Sequence, residues 1–229
     1  MKFKILILAI SCLAAFACNS QNGTMKKNIN LETEVDSVSY SLGITMAENI
    51  KKGGVEKINA EALAVAFNHI FDGEKTLIES KEAENILNNY FRKIQMKKAG
   101  ENKEAGIKFL EENKSKDGVV TLASGLQYKI IKKGTGAIPK ATDKVTTHYK
   151  GTLIDGTVFD SSYDRGEPAN FPVNGVIPGW TEALQLMTVG SKWELYIPSE
   201  LAYGQRGAGQ IIGPDATLVF EIELISIDK

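Results

Sequence analysis

Cysteine and histidine are nearly absent: the 229 residues hold two of each. Cys12 lies inside an N-terminal leader, so the mature chain keeps at most Cys18. An intramolecular disulfide and a thiolate metal cluster are therefore excluded, even in an oxidising compartment. His69 and His148 sit in no ligand-spaced cluster, so no metal site is expected and both read as structural or exposed residues. A basic excess is missing too. With 27 basic and 28 acidic residues the formal charge is −1, and nothing in that balance points to nucleic acid. The doublets Lys51-Lys52, Lys97-Lys98 and Lys132-Lys133 read as solvated faces. Gly134-Thr135-Gly136 is too short for a phosphate loop and reads as a turn. No serine or cysteine has surroundings that suggest a nucleophile. No cofactor is expected.

What is present is ordinary globular material, 43% hydrophobic and 24% charged, enough for one or two domains. Residues 1–17 read as a signal peptide. Lys2 and Lys4 form a positive start, Ile5 to Phe16 an apolar stretch too short for a stable membrane span, and Ala15-Phe16-Ala17 a cleavage pattern. Cleavage before Cys18 removes Lys2 and Lys4 and no acid, leaving 25 basic against 28 acidic residues, a net charge of −3. Ala15-Phe16-Ala17-Cys18 looks like a loose bacterial lipobox, with Ala15 where leucine is usual. Lipidation of Cys18 is the expectation, and the alternative is plain secretion with an incidental thiol. Residues 18–34 are polar and read as a flexible tether.

Residues 35–115 carry a helical pattern. Asp36 or Ser37 is expected to cap a first helix with Leu42, Met46, Ala47 and Ile50 on one face, ended by Gly53-Gly54. Asn59 is expected to cap a second, with Leu63, Ala66, Phe67 and Ile70 inward and Gly73 as its stop. A third runs from near Ile78 towards Asn113, roughly 50 Å if unbroken, although Gly100 and Gly106 each weaken it by about 1 kcal/mol relative to alanine. So long a helix cannot bury its apolar face against two short ones alone. The region reads either as a plain bundle or as a dimerisation module with a spacer helix.

Residues 116–229 are patterned as strands. Lys116-Asp117-Gly118 breaks the helix. Leu126, Tyr128 and Ile130 alternate with polar residues, as a strand with one wet face does. Val145, Thr147, Tyr149, Gly151 and Leu153 form the next set, and Asp155-Gly156 signals a tight hairpin. Trp193, Leu195 and Ile197 mark another strand and Leu218 to Ile225 a last one, with a short amphipathic helix between them at Glu182 to Met187. The fold class is α+β: an all-helical N-terminal part with a long spacer helix, then an antiparallel half-barrel sheet wrapped around one short helix.

Within this second part stand Tyr149, Phe159-Asp160, Val176-Ile177-Pro178-Gly179-Trp180, Ala202-Tyr203-Gly204, Ile211-Ile212 and Phe220. Taken singly, these read as core, turn or loop residues. In this order and spacing they closely resemble an FKBP-type peptidyl-prolyl cis-trans isomerase. The helical part resembles that of exported isomerases of the macrophage-infectivity-potentiator kind, in which helices of two chains intertwine, and this implies a homodimer through residues 35–115.

The resemblance implies a chemistry that can be stated physically. Rotation about X-Pro must break amide resonance, at a barrier of ~18–20 kcal/mol, and takes tens to hundreds of seconds. A catalyst need only bind the twisted amide better than the planar one, and lowering the barrier by about 5 kcal/mol gives nearly four decades of rate. By resemblance, Asp160, Tyr203, Phe159 and Ile177 are the expected catalytic set. Trp180 is the floor for the proline ring, with Tyr149, Phe171, Val176, Ile211, Ile212 and Phe220 around it. The Ile177 N–H and the Tyr203 hydroxyl donate to substrate carbonyls, while Asp160 complements the electrostatics of the twisted amide. Ala169 replaces an aromatic of many eukaryotic relatives and implies a more open pocket, and Ala208 replaces a histidine of some. Binding of tacrolimus or rapamycin is a further implication.

The resulting expectation is an isomerase that speeds X-Pro rotation in proline-containing envelope proteins, lipid-anchored to a membrane and facing the periplasm. A dimeric binding chaperone, using the pocket as a proline-binding patch, is the rival.

Overall fold

The structure, a computed structural model, describes residues 29–228. The expected signal peptide, Cys18 and most of the tether lie outside the described residues. The described chain falls into two units, one of residues 29–48 and Lys57–Lys75, the other of Asn49–Glu56 and residues 76–228.

The first unit contains most of α1 (Glu34–Lys52) and all of α2 (Ala60–Phe71). Helix α1 starts earlier than the pattern implied. The Thr33 N–H donates to Asp36 Oδ2 at 2.9 Å and the Asp36 N–H returns a bond to Thr33 Oγ1 at 3.1 Å, a reciprocal capping arrangement centred on Thr33. Asn59 caps α2 as expected, accepting from the N–H groups of Glu61 and Ala62. The expected inward faces are not covered: neither helix has a buried residue. Leu42 is 59% and Ile70 65% exposed, because two helices of 19 and 12 residues supply no third layer for their apolar stripes.

The second unit holds α3 (Ser80–Asn113), unbroken over 34 residues. Its buried residues are Gly106 and Asn113, at the end that packs on the sheet. A Cβ on Gly106 would collide with the Thr217 side chain, so the glycine that weakens the helix is what lets it dock. Asn113 Nδ2 donates to Gln127 Oε1 and Gln127 Nε2 to the Leu110 carbonyl, both at 2.9 Å. Asn102 Nδ2 donates to the Pro214 carbonyl at 2.7 Å.

The sheet has seven strands: β1 (Val119–Thr121), β2 (Gln127–Lys132), β3 (Lys144–Leu153), β4 (Val158–Ser161), β5 (Ala169–Pro172), β6 (Lys192–Ile197) and β7 (Leu218–Asp228). The order is β1-β2-β6-β7-β3-β4, every pairing is antiparallel, and β5 pairs with β3 at residues 144–147. Strand β3 buries Val145, Thr147, Tyr149 and Gly151 alternately, as its sequence pattern demands. Strand β2 departs from the expected one wet face, because Gln127 is buried under α3. Helix α4 (Ser162–Arg165) follows β4.

Helix α5 spans Pro178–Leu184, starting four residues before the expected Glu182. Proline is tolerated in a first turn, where its missing N–H has no intrahelical partner to lose. Gly179 brings the helix onto the sheet, since a Cβ there would lie 2.5 Å from Ile197 Cγ2. Ala183, Leu184 and Met187 are fully buried, as are Leu195, Ile197, Leu218 and Ile222 in the same core.

The two glycines of α3 predict opposite responses. Gly100→Ala, with nothing within 4 Å of the added carbon, is expected to raise unfolding free energy by up to about 1 kcal/mol. Gly106→Ala is expected to lower it by about 1–3 kcal/mol despite the better helix former. Urea unfolding of the two variants checks this, and equal effects would mean that Gly106 is not a docking point.

Candidate active site

All eleven residues named from the sequence converge on one cleft of about 650 Å³, within the usual size of a ligand site. Strand β3 contributes Tyr149, β4 Phe159 and Asp160, β5 Phe171 and β7 Phe220. Val176 and Ile177 precede α5, which carries Trp180, and Tyr203, Ile211 and Ile212 belong to the loop before β7. Trp180 is 3% exposed and is the hub. Tyr149, Phe171 and Phe220 meet it edge-on at 5.2, 5.6 and 5.2 Å, with interplanar angles of 85°, 83° and 82°. Phe159 meets Phe220 at 5.4 Å in the same manner. These are the arrangements that the ring quadrupole favours.

Gly151 makes this packing possible. A Cβ there would stand 2.5 Å from Phe159 Cε2 and 2.8 Å from Phe220 Cε1. At the other rim an antiparallel bridge joins Ala208 to Ile212, with Gly207 at φ +64° where a Cβ would strike the Ile212 carbonyl. Tyr203 is 40% exposed and Ile211 43%, whereas Ile212 is buried. Ala169 sits opposite Thr147 on β3 and packs against the core.

The polar groups divide into committed and free. The Tyr149 hydroxyl donates to Asp160 Oδ2 at 2.5 Å, Arg165 Nη1 donates to Asp160 Oδ1, and Arg165 Nη2 donates to the Tyr149 oxygen at 2.8 Å. The guanidinium also lies 5.4 Å from the centre of the Tyr149 ring, as a cation–π contact. Ile177 accepts at its carbonyl from the N–H groups of Trp180 and Thr181. Its own N–H and the Tyr203 hydroxyl make no hydrogen bond among the described residues.

The profile described as FKBP-type peptidyl-prolyl cis-trans isomerase matches residues 136–225, and that of the domain amino-terminal to it matches residues 35–130. The outer membrane protein MIP of Legionella longbeachae is 45% identical over 236 residues, covering 100% of this chain and 99% of that protein. This chain belongs to the FKBP-type peptidyl-prolyl cis-trans isomerases. The FKBP-type 22 kDa isomerase of Escherichia coli strain K12 is 48% identical over 82% of this chain and 93% of its own. Among solved structures, crystalline FkpA from Escherichia coli is similar with a TM-score of 0.63 and 34% identity, over 87% of this chain and 99% of that one.

The charged groups of the site shift one another's titration. Burial pushes the Asp160 carboxyl upward, but hydrogen bonds from Tyr149 and Arg165 and the nearby guanidinium charge outweigh it and hold the group below its ordinary 3.8. Burial first, then the Asp160 acceptor, pushes the Tyr149 hydroxyl above its ordinary 10.0, so it remains a donor. No sequence pattern marks Arg165. It stands on α4, five residues after Asp160, and only the turn that starts this helix points it back. Gly175, Gly209 and Gln210 also line the cleft without a sequence pattern that marks them.

A carboxyl held below 3.8 adds stability in its ionised form, complete above that value and lost as pH falls through the lower folded-state one. Urea unfolding is therefore expected to show a constant gap between wild type and Asp160→Asn above about pH 5 that closes on acidification below about pH 4. A gap as wide at about pH 2 as above about pH 5 would contradict the ionised pairing.

Proposed function

We propose that this isomerase uses the cleft as an apolar chamber for one X-Pro unit of a client chain, with Trp180 as the floor for the proline ring. Tyr149, Phe159, Phe171, Val176 and Phe220 exclude water around it, and Ile211 and Ile212 close a rim. A twisted amide has lost its charge separation, so it suffers less than the planar form on leaving water, and this difference lowers the barrier. The Ile177 N–H and the Tyr203 hydroxyl hold substrate carbonyls so that only one side of the amide turns. Asp160 acts mainly through its field, since both its oxygens are already engaged by Tyr149 and Arg165. No bond is made or broken. The observation that carries this reading is a cleft rich in apolar rings in which the Ile177 N–H and the Tyr203 hydroxyl stand uncommitted. Tacrolimus or rapamycin would occupy the same chamber.

By division of labour, residues 35–115 form an assembly region with a spacer helix and residues 116–229 the isomerase domain. The uncovered apolar faces of α1 and α2 support a homodimer closed through this region. The same faces support the rival reading of a dimeric chaperone that holds unfolded clients. The outer-membrane name of the Legionella relative supports work in the cell envelope, and the lipobox-like Cys18 supports a lipid anchor facing the periplasm.

A protease-coupled assay with a short X-Pro peptide, on the chain from Asn19 onward, tests the site. Turnover is expected to be blocked by tacrolimus and slowed about tenfold or more by Asp160→Ala or Tyr203→Phe, a barrier rise of at least ~1.4 kcal/mol. Suppression of aggregation should survive both substitutions. If neither changes turnover, the residue assignment is wrong. Assembly and anchoring have their own readout: Leu42→Glu with Phe67→Glu is expected to shift sedimentation from dimer to monomer mass, and Cys18→Ala to abolish incorporation of a clickable fatty acid. Unchanged mass or unchanged labelling would remove the respective element of the proposal.

A further inference from the structure

A second cavity, of about 710 Å³, lies directly beside the isomerase cleft and shares Gly209, Gln210 and Ile212 with it as a common wall. It runs from that wall to the middle of α3 and to the last residues of α1, all within the second unit. Its charged residues are Lys52, Lys98 and Arg206, and none of its lining residues is acidic. Asp215, the one acid of the loop between Tyr203 and Thr217, does not line it. Among the described residues none of these three cations is within ion-pair distance of a carboxylate. Lys98 is placed by contact: its aliphatic stem lies over Gly213, where a Cβ would come within 2.9 Å of the Lys98 Cε.

We propose that this groove is a charge-selective extension of the substrate site, which takes acidic side chains of the client polypeptide two to four residues from the isomerised proline. The wall between the two cavities is thin. It is the tip of a loop closed by the Ala208–Ile212 bridge, with N–H to carbonyl distances of 2.8 and 3.1 Å in the two directions, and such a pair is ~5.5 Å across. An extended chain advances ~3.3 Å per residue, so two residues carry it from the proline chamber over the wall. The next side chains then lie among three cations with no protein counter-ion, where a carboxylate is favoured over a neutral or cationic group. Because Lys52, Lys98 and Arg206 are exposed, each interaction is modest and salt-sensitive. Their sum selects among clients without contributing to the rotation itself.

The proposal rests on the isomerase reading of the adjoining cleft, and the test separates the two. Peptides with one X-Pro core carry Glu, Gln or Lys at the second to fourth positions from the proline, on one side or the other. Their kcat/KM is measured with the full chain at low and high salt, beside a four-residue peptide that stops short of the groove. The Glu peptide is expected to exceed the Gln peptide about fivefold at low salt, on one side of the proline, and to lose the advantage near 0.5 M salt, by roughly the sum of a few exposed ion pairs. Lys98→Gln with Arg206→Gln should erase the preference while the short peptide turns over as before. Lys98→Glu with Arg206→Glu should reverse it in favour of the Lys peptide. Equal rates for Glu and Gln peptides, with the short peptide still isomerised, overturn the groove. Failure to isomerise the short peptide overturns the isomerase reading and the groove with it.

Discussion

Trp180 joins the core of the second unit to its cleft. The indole is nearly inaccessible and is met edge-on by rings from β3, β5 and β7. Each such pair contributes ~0.5–1.5 kcal/mol beyond simple area burial. Its indole nitrogen makes no hydrogen bond among the described residues, so the ring is held by shape and contact. Everything else near the site answers to that contact. Gly179 brings α5 close enough to Ile197 for the indole to reach the rings. Gly151 keeps the strand beneath Phe159 and Phe220 bare. The bridged loop at Ala208 and Ile212 closes the side that the strands leave open.

On the proposed reading, a cleft built this way treats a planar and a twisted amide differently because its charged groups are spoken for. Asp160, Tyr149 and Arg165 satisfy one another in a closed set, which leaves their charges balanced. Arg165 also packs on the Tyr149 ring, which ties the ion pair to the aromatic wall. The uncommitted donors are few. That economy matters because water admitted to the chamber would solvate the planar amide better than the twisted one and restore the barrier. The same logic separates the cleft from the neighbouring groove, whose exposed cations would be out of place beside a reacting amide but are harmless a few residues away.

The legibility of the fold followed the physics of each element. Strand β3 could be read because alternation is imposed by the pleat, and α2 could be bounded because Asn59 and Gly73 act within a few residues of themselves. Helix α1 began earlier than its apolar pattern because the Thr33–Asp36 exchange ends the chain's freedom before the first apolar residue. Helix α5 begins before its apolar pattern, since Pro178 and Gly179 look like breakers in isolation and are a first turn and a docking point in place. The inward faces expected for α1 and α2 were apolar stripes in truth, but a stripe does not specify what covers it. Gln127 has the sequence pattern of a wet position because the residue that dries it, Asn113, arrives from another element.

The aromatic and branched residues of the cleft, their order, and the fold class were determined by the amino-acid sequence itself, because side-chain periodicity and turn chemistry act locally and leave their mark residue by residue. The tertiary structure alone decided that Arg165 turns back onto Asp160 and Tyr149, that Gly106 is a docking point rather than a weakness, that Ala169 packs against the core, and that three cations line a groove beside the aromatic cleft. Each of these depends on residues brought together across strands, helices and loops, and proximity of that kind has no period for a sequence to display.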